Sequence, residues 1–178
     1  MDDSSLVKNC LKGDPIAQRK LFDKFAPKML GVCMRYAKST EQAEDVLQDS
    51  FIKVFQKLNH FKEKGSLEGW IRRIVVNTSL DQIRKELKFK DNVPMENVDY
   101  RLEQNSFILE GLAAEDLLGL VNTMPNGYKT VFNLFAIEGF SHKEIAQDLN
   151  ISVNTSKSQY SRARAFLKEK LEEQGFEK

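Results

Sequence analysis

Cysteine, histidine, proline and glycine are all scarce in this sequence, and each scarcity excludes something. The two cysteines, Cys10 and Cys33, lack a CxxC spacing. Neither a disulfide framework nor a zinc site is expected, and both read as reduced thiols. The two histidines, His60 and His142, fall in different segments. No paired carboxylates, glycine-rich phosphate loop or cysteine-centred site accompanies them, so no catalytic residue, bound metal or cofactor is expected. No apolar run approaches the ~20 residues that span a bilayer, and Met1 to Ser5 lacks the apolar stretch of a signal peptide. A cytoplasmic protein without membrane insertion is the expectation. An excess of one charge is missing too: 27 Lys and Arg against 26 Asp and Glu leave a formal net charge of +1. Any basic surface for nucleic acid must therefore be local.

With four prolines and nine glycines in 178 residues, little interrupts helical periodicity. The best strand candidate, Ile71 to Val76, contains Arg72 and Arg73 and runs on into a helical pattern. The spacing predicts an all-α chain. In its first half, helices are expected over about Ser4 to Lys12, Pro15 to Lys38 with a break near Pro27, Glu41 to Leu58, and Leu67 to Lys88. Ser39 and Gln42 form a candidate capping box, and Asn59 to Ser66 reads as a loop. Asp91 to Asn105 is polar, contains Pro94 and has no clear period. Four further helices are expected over about Leu112 to Thr123, Asn126 to Glu138, His142 to Leu149 and Val153 to Glu173. The organisation predicted is two small helical domains, 1–88 and 112–178, on a flexible linker of 89–111.

The last two helices have the grammar of a helix-turn-helix. Ser141 and Glu144 make a capping box, Ile145, Ala146 and Leu149 give the first of the two helices a buried side, and Asn150 suits a left-handed helix end. Ile151 plugs the turn and Ser152 caps the second helix. On a wheel of 100° per residue, Val153, Ser156, Tyr160, Ala163, Leu167 and Leu171 share the core side. Asn154, Thr155, Ser158, Ser161 and Arg162 face away. Small hydrogen-bonding groups and an arginine near a helix start can read base edges in a major groove. Lys157 and Arg164 flank them and suit phosphates. A helical hairpin with a solvated face is the plainer alternative.

The helix from Leu67 carries a second pattern. Trp70, Arg73, Asn77, Asp81, Arg84 and Lys88 fall within about 80° of one another. Ile71, Ile74 and Val75 lie on one flank, and Val76, Leu80, Ile83 and Leu87 on the other, so the helix is wedged between neighbours and shows only this stripe. An aromatic, an amide and cations suit nucleic acid, and the loop from Asn59 through His60, Lys62 and Lys64 could wall a pocket for an extruded base. The alternative has Trp70 in the core and Asp81 paired with Arg84 or Lys85. On the preceding helix, Val46, Leu47, Ser50, Val54 and Leu58 form the core side. Asp45, Gln48, Asp49, Ile52 and Gln56 lie opposite, with Phe55 at the margin. An apolar Ile52 among acids and amides suits protein docking more than plain solvation.

Together these residues resemble the extracytoplasmic-function group of the sigma-70 family. Ala43 to Phe51 is similar to the family's polymerase-docking helix in region 2. Gly69 to Asn77, with Asp81 and Arg84, is similar to its helix for the promoter −10 element. Met124 to Phe132, Glu138 to Ser141, Glu144 to Ala146, Leu149, Ile151 to Ser152, Thr155, Lys157 to Ser158 and Arg162 to Arg164 resemble region 4 in register. The sequence departs at Met124 for leucine, Ser156 for valine, Gln159 for arginine and Tyr160 for leucine, which bears on −35 preference. Region 3 of larger sigma factors is missing. The resemblance implies RNA polymerase core, at its clamp and flap regions, and promoter DNA as partners, and an anti-sigma factor as inhibitor. It implies polymerase binding by Asp45, Gln48, Asp49, Ile52 and Phe55. It implies −10 binding by His60, Lys62, Lys64, Trp70, Arg73, Asn77 and Arg84, and −35 binding by Asn154, Thr155, Lys157, Ser158, Ser161, Arg162 and Arg164. It implies no enzymatic activity. The rival readings are a helix-turn-helix regulator that binds DNA alone through a dimerising front domain, an interaction adaptor, and an enzyme.

Overall fold

The computed structural model describes residues 2–62, 64–89 and 119–174. Every regular element among the described residues is helical. The chain divides into two compact units, Met1–Asp91 and Asn92–Lys178. The linker expected over 89–111 lies outside the described residues but for its first position, and of the helix expected over about Leu112 to Thr123 only 119–123 is described, helical as far as 122.

The front unit starts with α1, Asp3–Leu11, whose N-cap Asp2 accepts from the Ser5 amide at 3.0 Å. In α2, Pro15–Met34, Asp14 caps the Ile16 amide at 2.9 Å and Pro15 occupies the first turn, where a missing N–H costs nothing. The expected break at Pro27 does not occur, and the helix runs through it. Pro27 and Asp23, whose carbonyl loses its partner, are both exposed, so water can serve that carbonyl. The helix instead ends four residues before the expected Lys38. The Tyr36 and Ala37 amides both close on the Cys33 carbonyl, and the Lys38 amide is taken by the Gln42 side chain at 2.7 Å. Ser39 then caps α3, Thr40–Lys57, by accepting from Gln42 at 3.2 Å. A 3-10 turn, Leu58–His60, comes next. The last front helix is α4, Leu67–Phe89, where the Ser66 hydroxyl accepts from the Gly69 amide at 3.0 Å.

The two flanks predicted for α4 are what anchors it. Ile71, Val75, Val76 and Leu80 are at most 1% exposed, as are Leu21 and Met29 of α2 and Val54 of α3. Cys10 and Cys33 are buried free thiols. Burial pushes the Cys33 thiol up to about 12, and burial with the nearby Asp14 also raises Cys10. Neither ionises near neutrality, so neither is reactive.

In the rear unit, α5 is Asn126–Phe132. Where a continuous helix to Glu138 was expected, the chain widens into a π-helical stretch, Asn133–Ile137. The Glu138 amide reaches back five residues to the Asn133 carbonyl at 3.0 Å. Then come α6, His142–Leu149, and α7, Val153–Glu173. A core cluster of the unit joins Leu120, Val121, Met124 and Phe132 to Ala163, Leu167 and Leu171 of α7. The turn obeys the sequence grammar closely. Ser141 and Glu144 form a reciprocal capping box, Asn150 is left-handed at φ 53°, and Ser152 accepts from the Thr155 amide at 2.9 Å. Ser141→Ala removes one half of that box. It should cost about 1 kcal/mol and lower the melting midpoint of the rear unit by roughly 4–8 °C, read by calorimetry of the full chain.

Candidate polymerase and nucleic-acid interfaces

The front unit offers two unlike faces on adjacent helices. On α3, Ala43, Val46, Leu47, Ser50, Phe51 and Val54 are buried, which turns Asp45, Gln48, Asp49, Ile52 and Gln56 to solvent. The Ser50 hydroxyl satisfies itself on the Val46 carbonyl at 2.6 Å. Ile52 is 56% exposed, a large apolar side chain beside two carboxylates. Phe55 is half-buried at the margin, its ring 6.2 Å from that of Phe51. An open cleft lined by Gln42, Asp45, Asp49, Ile52 and Gln82 runs along this face between α3 and α4.

On α4, Arg73 and Asn77 are exposed and Trp70 is half-buried. The Trp70 ring lies 5.6 Å from that of Phe61, so the segment between the 3-10 turn and α4 folds back onto the start of the stripe. His60, Lys62 and Lys64 on that segment are exposed. The lower half of the stripe is different. Asp81 accepts from Lys53 of α3 at 3.1 Å and pairs with Arg84. Burial pushes the Asp81 carboxyl up, but the bonds from Arg84 and Lys53 outweigh it and hold it below the usual carboxylate range. Arg84 thus stands in an ion pair, as the plainer reading of Asp81 had it, and must exchange that partner to reach a phosphate. The side chain of Lys88 lies outside the described residues. A second tie between α3 and α4 joins Glu86 to Lys38 and Gln42.

On α7 the exposed residues of the expected reading face are Asn154, Lys157 and Ser158. Thr155, Ser161, Arg162 and Arg164 are half-buried. Two hydroxyls are engaged locally: Thr155 Oγ1 lies 2.8 Å from Ser152 Oγ, and Ser158 Oγ donates to the Thr155 carbonyl at 3.0 Å. The core side corresponds to the wheel at Ser156, Ala163, Leu167 and Leu171, with Tyr160 half-buried. Val153 is the exception, 39% exposed rather than buried. A helical Cβ tilts toward the N-terminus, and at the first position of α7 that direction leaves the core. Gln159 is the residue the wheel missed. It is 7% exposed, and its amide fills the space above Gly127, where a Cβ would meet Gln159 Oε1 at 2.5 Å. The one available signal was a glycine in the first turn of an otherwise ordinary helix.

Residues 21–88 match sigma-70 region 2, and residues 114–167 match sigma-70 region 4. The chain belongs to the extracytoplasmic-function group of the sigma-70 family. The region 2 match contains both front-unit faces, and the region 4 match contains the helix-turn-helix as far as residue 167 of α7. The extracytoplasmic-function sigma factor SigW of Bacillus subtilis is 28% identical over 93% of this chain and 94% of its own length. The corresponding sigma-E factor of Haemophilus influenzae is 26% identical over 97% of this chain and 96% of its own. Among solved structures, the sigma factor RpoE from Bartonella quintana, crystallised with the anti-sigma factor NepR, superposes with a TM-score of 0.51. It is 25% identical over 86% of this sigma factor and 96% of that chain. CnrH, solved with the cytosolic domain of CnrY, shares the fold at a TM-score of 0.50 and 21% identity, over 96% of this chain and 97% of that one. As a sigma factor, the protein directs RNA polymerase to promoters to initiate transcription. No helix among the described residues is long and apolar enough to cross a membrane.

Proposed function

We propose a division of this work among three surfaces. The α3 face, through Asp45, Gln48, Asp49, Ile52 and Phe55, docks on the clamp of the polymerase core. The α4 stripe, through Trp70, Arg73 and Asn77, takes the melted non-template strand of the −10 element. The segment bearing His60, Lys62 and Lys64 walls a pocket for a flipped base, and Arg84 reaches the backbone after leaving Asp81. In the rear unit, Asn154, Thr155, Ser158, Ser161 and Arg162 enter the −35 major groove while Lys157 and Arg164 hold phosphates. The rear unit also touches the flap region of the core.

The observation that carries this reading is the pairing of unlike faces in one small unit. An acidic surface with an exposed isoleucine lies on α3, and a basic surface with a tryptophan and an amide lies on α4. The Lys53–Asp81 bond ties the two helices. One face has the chemistry of a protein contact and the other that of an unpaired strand. Two modest DNA contacts on one chain reinforce each other through effective concentration, which suits a protein with a net charge of +1. The chain catalyses no bond change itself and works in the cytoplasm, where core polymerase and promoters are. An anti-sigma factor, of the kind seen with the Bartonella quintana sigma factor, would silence it by covering the docking surfaces.

Reconstitution tests the reading. Core polymerase with the purified chain should initiate at a discrete set of genomic start sites that core alone does not use. A helix-turn-helix regulator acting by itself would footprint DNA without polymerase and would leave the start sites of core unchanged.

A further inference from the structure

Three irregularities of the rear unit meet at one place. The first is the π-helical stretch Asn133–Ile137. A π turn carries one extra residue, which swings the side chains beyond it by about 100° relative to an uninterrupted helix. Phe135 lies in that stretch, and its ring stacks on His142 at a centroid distance of 4.2 Å and 13° between planes. The second is His142 itself, the first residue of α6, half-buried with the Tyr160 ring edge-on at 5.8 Å. Tyr160 in turn lies 4.6 Å from Phe135. The third is Ser156, a hydroxyl on the core side of α7 with no solvent exposure. His142 Nδ1 and Ser156 Oγ lie 2.9 Å apart.

A hydroxyl in a close-packed interface costs free energy unless it is hydrogen-bonded. Here the bond crosses between the two helices of the helix-turn-helix, and it falls in the middle of the segment that carries Asn154, Lys157 and Ser158. A rotation of α7 about its axis would break it. The ring stack in turn fixes the imidazole plane, so the bond has a defined direction. Resting on the promoter reading above, we propose that His142 and Ser156 are positioning residues for −35 recognition. Their hydrogen bond, steadied by the Phe135 and Tyr160 rings, sets the rotation of α7 and so the aim of its exposed residues at duplex DNA.

The neutral imidazole is the form this site favours. Burial holds the His142 pKa below its ordinary value, and Lys157 on α7 lowers it further. The other groups around it do not oppose this. Tyr160 is the titratable group on α7 across the ring, the stretch Asn133–Ile137 carries no charged residue, and on its own helix Glu144 is engaged with Ser141 while Lys143 is exposed. Because the folded pKa lies below the unfolded value, the stability tied to neutral His142 is complete above pH 6.5. It is lost as pH falls below that value.

The test uses holoenzyme made with the full chain, on a promoter mapped with the wild type and on the same promoter with a scrambled −35 element. The ratio of open complexes on the two templates reads −35 selectivity. Ser156→Ala should lower this ratio about five-fold, with core binding and opening on the scrambled template unchanged. His142→Phe keeps a ring but removes the bond and should do the same, and the double variant should lose no more than either single one. The wild-type ratio should hold steady above pH 6.5 and decline only as pH falls through the lowered folded pKa of His142, and His142→Phe should not show the decline. Single-variant losses that multiply in the double variant would overturn the inference, as would Ser156→Ala leaving the ratio unchanged. Equal losses on both templates would reduce the pair to a plain structural contact and overturn it likewise. A wild-type holoenzyme with no promoter-specific initiation would sink the promoter reading and this inference with it. Wild-type selectivity with indifferent variants would sink this inference alone.

Discussion

Asn77→Ala should slow promoter opening roughly 10- to 100-fold, the loss expected when one well-placed base contact is removed, while core polymerase is bound as before. The separation comes from where Asn77 sits. Its neighbours Val76 and Thr78 are buried at 1% and 5% exposure, whereas its own amide is exposed. Truncation therefore removes a hydrogen-bonding group from the wettable edge of α4 and nothing from the core. Trp70→Ala is a less clean experiment, because Trp70 is half-buried against Phe61 and its loss disturbs the loop as well as any stacked base. Opening followed by permanganate reactivity of the −10 region, beside an equilibrium measurement of core binding, separates the two effects.

Asp45→Arg should do the reverse. Core binding should weaken by roughly 10- to 100-fold, within the range for interface hot spots and reversed charges. Complexes assembled at saturating concentration should open promoters normally. Asp45 is exposed on the face opposite Val46 and Leu47, so the substitution leaves the packing of α3 intact and an unchanged melting midpoint is expected. Ile52→Arg on the same face should behave alike, since its side chain is already 56% exposed and contributes little to the core it would leave. Equal loss of binding and opening in Asp45→Arg would mean that the α3 face does not act as a separate docking surface.

The parts of this architecture legible in the sequence were those governed by local rules. The capping box at Ser141, the left-handed Asn150 and the Ser152 cap are each decided within a few residues, and α6 begins and ends, and α7 begins, where those signals put them. The wedge of apolar flanks on α4 was equally readable, because a period of 3.6 survives whatever packs against it. What escaped depends on partners far along the chain. Lys53 reaches Asp81 from 28 positions away and joins it in an ion-pair cluster with Arg84. Gln159 is buried because Gly127 leaves room for it. The π turn at Asn133 has no local signature, and a helical period passes smoothly over it. Pro27 escaped for a related reason: a rule about helix interiors assumes that the freed carbonyl is not served by solvent, and here it lies on the exposed side.

In the proposed division of work, two neighbouring helices of one small unit serve two different partners while a separate unit reads duplex. Site-specific photo-crosslinking in a promoter complex tests it most directly, with a photoreactive side chain at position 52, 73 or 154 in turn. Position 52 should label the polymerase clamp, position 73 the non-template strand of the −10 element, and position 154 the −35 duplex. Labelling of one partner by both 52 and 73, or of no DNA by 154, would contradict that division.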